Sequence, residues 1–212
     1  MPAADLVAVG LGNPGVEYQG TRHNAGAEAV RLVAQRHSAR FRGEKGLSAE
    51  TAVVSIATRT LVLAVPLTYV NESGLAVRAL VQRYLGAEQA PGSGEGGRGR
   101  GPVVFAPGSL VIVHDELDLE PGVVRVKLGG GTAGHNGLRS IHSHLRHLDF
   151  ARIRIGVGKP PNPAAGADHV LRRASRAERD LIAVAIEVAA DAVECMLTDG
   201  PEVAMNRFNS RG

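Results

Sequence analysis

The chain has one cysteine, no tryptophan, three tyrosines and four phenylalanines in 212 residues. A single thiol, Cys195, excludes an internal disulfide framework and a cysteine-based zinc site, and fits a reducing cytosol. Aromatic residues at 3% supply too few flat rings for a surface that grips many bases by stacking. No apolar run reaches the roughly 18 residues of a membrane-spanning helix. The opening MPAADLVAVGLG has neither the basic start nor the long apolar stretch of a secretory leader. The sequence contains no G-x-S-x-G, which argues against a serine hydrolase of that type. A large charge of one sign is also missing: 24 basic and 21 acidic residues leave +3, which permits an anionic partner without demanding one.

What is present describes a globular chain. Apolar residues make up 44% and charged residues 21%, enough to bury a core over one domain spanning 1–212. LVAVGL, 6–11, reads as a buried strand ending at glycines. A helix is predicted over Ala25–His37, with Asn24 as its N-cap. TAVVSIA (51–57) and TLVLAV (60–65) read as a hairpin around Thr58-Arg59, closed by Pro66, which cannot donate to a ladder. Ser73 is the expected N-cap of a helix 74–85, and Gly86 its terminator at positive φ. Residues 88–109 are dominated by Gly and Pro and read as a flexible surface insertion carrying Arg98 and Arg100, with Val103–Phe105 docking locally. LVIV, 110–113, is a buried strand with polar residues beyond its end. VVRVKL (123–128) and ARIRIGVG (151–158) alternate apolar with basic residues, as strands with one wet face do. Helices are predicted at 137–146 and 176–197. The order implies a three-layer α/β domain, with helices around a mixed, largely parallel twisted sheet. The loops after Leu11, Val65, Val113 and Leu128 then converge on one cleft beyond the strand ends.

Several motifs point to chemistry. GLGNPG, 10–15, matches a dinucleotide fingerprint, but VEYQGTRHN follows where a helix should open, so the glycines read as a tight turn presenting Asn13. His23 sits among Asn13, Arg22 and Asn24, in a loop of the kind that carries sites. In HDELDL, 114–119, Asp115 or Asp118 is placed to orient a histidine. His114, Asp115 and Glu116 are consecutive and project differently, which disfavours a metal site. GGGTAGHNG, 129–137, leads into a helix start able to meet an anion, but lacks the Lys-Ser/Thr pair of a P-loop. His142, His144 and His147 cannot share one helix face and read as surface residues.

Together GLGNPGVEYQGTRHNAG, PLTYVNESG and HDELDLEPG–VRVKLGGGTAGHNGLRSI resemble, in order and spacing, the three signature blocks of bacterial-type peptidyl-tRNA hydrolases. RIRIGVGKP and the C-terminal MNRFN look like further segments of that family. The resemblance covers nearly the whole chain outside 88–109, and Val70 stands where the family usually has methionine. It implies that His23 is the catalytic base, that Asp115 pairs with it, and that Asn13 helps tell an N-blocked peptidyl group from a free amino acid. By the same resemblance Asn71 and Asn136 bind substrate, Tyr18 and Tyr69 contact its acceptor end, and Arg125, Lys127 and Arg154 meet tRNA phosphates. The implied protein is a cytoplasmic monomer that hydrolyses the ester of peptidyl-tRNA without cofactor, metal, membrane or obligate protein partner. A non-catalytic RNA-binding relative of the same fold is the alternative.

Overall fold

The computed structural model describes residues 4–91, 100–160, 162 and 166–210. Its strands are β1 (Leu6–Gly10), β2 (Arg42–Glu44), β3 (Ala49–Ile56), β4 (Arg59–Pro66), β5 (Glu88–Pro91), β6 (Arg100–Val104), β7 (Leu110–Glu116), β8 (Val124–Leu128) and β9 (Ala151–Gly156). Its helices are α1 (Ala25–Arg36), α2 (Ser73–Tyr84), α3 (Asn136–Leu145), α4 (Gly166–Leu171), α5 (Arg176–Thr198) and α6 (Pro201–Asn209).

Seven strands form one sheet in the order β2-β3-β4-β1-β7-β9-β8. β4, β1, β7 and β9 are joined by parallel pairings, while β3 and β8 run antiparallel to their neighbours. The central strands are continuous apolar runs because both faces are covered. On one face Val111, Val113, Ile153 and Ile155 pack with α1, α5 and α6. On the other Val7, Val9, Leu110 and Ile112 pack with α2 and α3. The sheet is therefore the middle of three layers.

At the β9–β8 edge the alternation becomes chemical. Arg125 lies opposite Arg154 and Lys127 opposite Arg152. Opposed residues in antiparallel strands share a face. One face of this edge is thus apolar (Val124, Val126, Ile153, Ile155), and the other carries four cations. β8 is the last strand, and Asn209 of α6 closes it. The Asn209 amide accepts from Val126 N and donates to Val126 O, both at 2.9 Å, as a neighbouring strand would.

Helix α1 begins directly on the sheet. A Cβ on Gly26 would lie 2.2 Å from Val113 O, so only glycine allows this approach. The turn preceding α1, Arg22–Asn24, is thereby brought to the end of β7.

Several local expectations are corrected. Asn24 occupies the N-cap position of α1 but caps nothing with its side chain, which instead clamps the backbone of Asn13. Ser73 is the first residue of α2 rather than its cap, and its buried hydroxyl oxygen accepts no bond from the helix. Gly86 does take φ 61°. β7 extends through His114, Asp115 and Glu116, all buried, so these polar residues belong to the strand and not to a loop beyond it. The ends of the 88–109 segment pair as the β5–β6 ribbon, with Val103 buried and His147 bonded to its carbonyl at 2.7 Å. Arg98 lies outside the described residues. β2, α4 and α6 were not read from the sequence; the first two are three and six residues long, too short for a periodic signal.

Candidate active site

Four connections and α4 enclose a cleft of about 540 Å³. Asn13, Tyr18 and His23 follow β1; Tyr69, Val70 and Asn71 follow β4; Asp115 and Glu116 end β7; His135 and Asn136 open α3. The convergence expected from the sequence is present, with one topological difference. β8 is antiparallel, so Leu128 pairs with Ala151 at the far end of the sheet, whereas Asp115 pairs with Ile155 near the cleft. The glycine-rich 129–135 segment must travel back along the sheet to start α3. Gly129, Gly130 and Gly134 all adopt positive φ on that path. The buried Arg152 guanidinium donates to the carbonyls of Gly130 (2.6 Å) and Gly131, fixing its course.

The centre of the cleft is one carboxylate shared by two imidazoles. His23 Nδ1 lies 2.8 Å, and His135 Nε2 3.1 Å, from Asp115 Oδ1. The tautomers follow from the partners. His135 Nδ1 accepts the backbone N–H of Gly137 (3.1 Å) and Leu138 (3.4 Å), capping α3, so its proton is on Nε2 and donates to Asp115. His23 Nδ1 likewise donates to Oδ1. Its Nε2 makes no hydrogen bond among the described residues and carries a lone pair into the cleft. The sequence marks His135 as the end of a glycine loop before a helix but gives it no role; its pairing with Asp115, 20 residues away, is visible only in the fold.

The electrostatics favour an imidazole that takes up a proton readily. Burial pushes His23 down, but the charge and hydrogen bond of Asp115 more than reverse this and leave it above 6.5. Burial pushes Asp115 up, yet His23 and His135 hold it well below the usual carboxylate range. His114, fully buried, is pushed down to about 3 by desolvation and then by His135, so it stays neutral. Its Nδ1 donates to Asp115 O at 2.7 Å.

His23, Asp115 and His135 bring three ligand atoms within 4.8 Å, close enough to hold a metal ion. The chemistry of the donors opposes it. A metal at His135 Nε2 would move that ring's proton to Nδ1, against two backbone N–H groups.

Asn13 is oriented on both sides. Its Oδ1 accepts Val70 N–H at 2.9 Å, and Asn24 holds its backbone. What it can offer a ligand is therefore its Nδ2 donor. Tyr18 and Tyr69 meet edge to face, ring centroids 6.3 Å apart, and Tyr69 is half exposed. Asn71 and Asn136 line the cleft and are exposed. Arg125, Lys127 and Arg154 lie outside it, on the cationic face of β8 and β9. Arg154 is joined to the cleft through Glu116, Nε to Oε2 at 3.0 Å. Of the three nearby histidines, His142 is exposed on α3, His144 bonds Ser140 O, and His147, past the end of α3, packs on Phe105. His147 thus supports the β5–β6 ribbon rather than a surface patch.

Comparison with known proteins identifies the family. The family model described as peptidyl-tRNA hydrolase matches residues 7–89 and 103–212. A peptidyl-tRNA hydrolase of Mycolicibacterium vanbaalenii is 42% identical over 210 residues, 99% of this chain and all of that one. One of Mycobacterium tuberculosis is 41% identical over 98% of this chain and 99% of its own. The solved structure of peptidyl-tRNA hydrolase from Acinetobacter baumannii is 34% identical, superposes with a TM-score of 0.83, and covers 99% of this chain and 97% of that one.

Proposed function

This chain belongs to the peptidyl-tRNA hydrolase family, and from that premise we propose that it hydrolyses the ester between a peptide and the terminal ribose of tRNA, with His23 as general base oriented by Asp115. The observation that carries the reading is the 2.8 Å contact between His23 Nδ1 and Asp115 Oδ1 at the floor of an open cleft. With Nδ1–H given to the carboxylate, Nε2 takes a proton from water as that water attacks the ester carbonyl. Asp115 stabilises the imidazolium that forms, and does so without itself being protonated. A positioned base of this kind contributes on the order of 10²–10⁴ in rate.

The carbonyl oxygen becomes negative as the tetrahedral intermediate forms; when the intermediate collapses, the acyl–oxygen bond breaks and the His23 imidazolium returns its proton to the departing ribose oxygen, leaving a free peptide carboxylate and a tRNA hydroxyl. Asn13 Nδ2 is the donor best placed by its own hydrogen bonds to read an acyl or peptide oxygen. Asn71 and Asn136 supply further amides that recognise backbone without reading side chains, which suits a substrate of varied sequence. Tyr18 and Tyr69 offer the stacking face for the acceptor end. Arg125, Lys127 and Arg154 follow the phosphates, giving salt-dependent binding with little sequence preference. A substrate made in translation supports a cytoplasmic location. The proposed enzyme is a monomer acting as a single domain over 1–212. No helix among the described residues is long and apolar enough to cross a membrane.

The test is hydrolysis of N-acetyl-aminoacyl-tRNA by wild type and His23→Ala. The expected result is a loss of roughly 10²–10⁴ in kcat with tRNA binding kept. Because the base must be neutral, wild-type kcat should rise with pH through a midpoint above 6.5. Near-normal turnover by the variant would remove His23 from this role.

A further inference from the structure

Arg22 precedes His23 on the same short turn, and its side chain is only 7% exposed. Nothing in the mechanism above uses it. Its guanidinium reaches three places: Nη1 donates to His169 O and to Arg172 O, both at 3.2 Å, and Nη2 donates to Glu178 Oε1 at 2.9 Å. The two carbonyls lie at the C-terminal end of α4, where a helix leaves acceptors without internal partners. Glu178 is fixed in turn, because it closes the capping box of α5 with Ser175. A backbone bridge between Thr21 and Arg173 runs beside this contact. α4 supplies Gly166, Val170 and Leu171 to the cleft. His169 Nε2 also lies 3.4 Å from Val157 O, just beyond the end of β9.

We propose that Arg22 is a positioning residue for peptide binding: it fastens α4 to the turn that carries His23, so that Val170 and Leu171 form an apolar wall against which the peptidyl side of the substrate packs. The inference rests on the hydrolase reading above and adds the part of the substrate this wall meets. The turn thus has two outputs. His23 faces the reacting ester, and Arg22 holds the wall beside it. Lysine cannot reproduce the arrangement, since one ammonium has no planar fork to reach two carbonyls and a carboxylate together.

The experiment compares wild type, Arg22→Lys, Arg22→Gln and Glu178→Gln with N-acetyl-leucyl-tRNA and N-acetyl-glycyl-tRNA. Amide hydrogen exchange is measured on the same proteins. The proposal expects KM for the leucyl substrate to rise about tenfold in Arg22→Gln and less for the glycyl substrate. kcat should stay within about twofold and keep its pH midpoint, because a hydrogen-bonded charge is lost at the wall and not at the base. Arg22→Lys should recover part of the loss. Glu178→Gln, a change at a partly exposed site, should give a smaller rise of the same kind. Exchange should speed up in 168–173 in step with KM. A parallel fall of kcat, equal effects on both substrates, or unchanged exchange in α4 would overturn the proposal. Failure of the wild type to turn over either substrate would instead overturn the hydrolase reading, and the wall's role with it; the exchange data would still show whether Arg22 holds α4.

Discussion

At the scale of single residues the cleft depends on how many partners each polar atom has. Asp115 Oδ1 serves His23 and His135 together, and His135 also caps α3 through its other nitrogen. Two jobs on one ring can be separated by substitution. Asparagine is a good N-cap but reaches less far than imidazole. His135→Asn should therefore keep stability within about 0.5 kcal/mol, where loss of a cap altogether costs typically about 1 kcal/mol. It should also release Asp115 to act on His23 alone, moving the midpoint of the kcat–pH profile upward. A thermal melt and a pH–rate profile on one preparation check both halves. Asn13 and His23 were legible as residues because they sit in loops beside a glycine turn. The bond from Asn13 Oδ1 to Val70 N was not, since 57 residues separate them.

At the scale of elements, the strongly patterned segments were legible and the short ones were not. β1, β4 and α5 announce themselves by apolar runs or helical periodicity, and their bounds fall within about two residues of expectation. The three-residue β2 and six-residue α4 carry too few positions to show a period. The caps of α1 and α2 were misread because Asn24 and Ser73 have the right chemistry for a cap, but tertiary partners claim Asn24 and the helix starts one residue early at Ser73. The MNRFN segment gains its explanation here. Asn209 completes the edge of β8 by pairing with both polar groups of Val126. Asn209→Leu leaves that N–H and C=O unpaired beside a packed helix, at a cost of about 1–3 kcal/mol. The urea midpoint should fall while kcat is unchanged; an unaltered midpoint would show that water replaces the amide there.

At the scale of the whole molecule, charges deep in the fold couple stability to pH. His114 is neutral in the folded protein down to about pH 3, but an unfolded histidine titrates near 6.5. A group whose folded pKa is depressed stabilises the fold above its unfolded pKa and loses that contribution as pH falls. Between about 6.5 and 3 the unfolded chain binds one more proton, which makes this group's share of the slope at most about 1.4 kcal/mol per pH unit. His23 acts in the opposite sense: its stabilisation is complete below 6.5 and disappears as pH rises through its raised value. Acid unfolding followed by circular dichroism should be less steep in His114→Asn, whose amide can keep the bond to Asp115 O. An equal slope in both proteins would place the acid sensitivity elsewhere.

By itself the sequence determined the longer strands and helices, the two-faced β8 and β9, and the polar residues that follow β1 and β4. These follow from local chemistry: alternation, periodicity and glycine turns act between near neighbours along the chain. Only the tertiary structure decided that His23 and Asp115, 92 residues apart, share a hydrogen bond, and that a second imidazole joins them. It also decided that the Arg22 side chain donates to the carbonyls of His169 and Arg172, about 150 residues along the chain. The physical reason is that hydrogen-bond partners are chosen by proximity in space, and proximity here is set by sheet order and by the close seating of α1 on Val113 through Gly26.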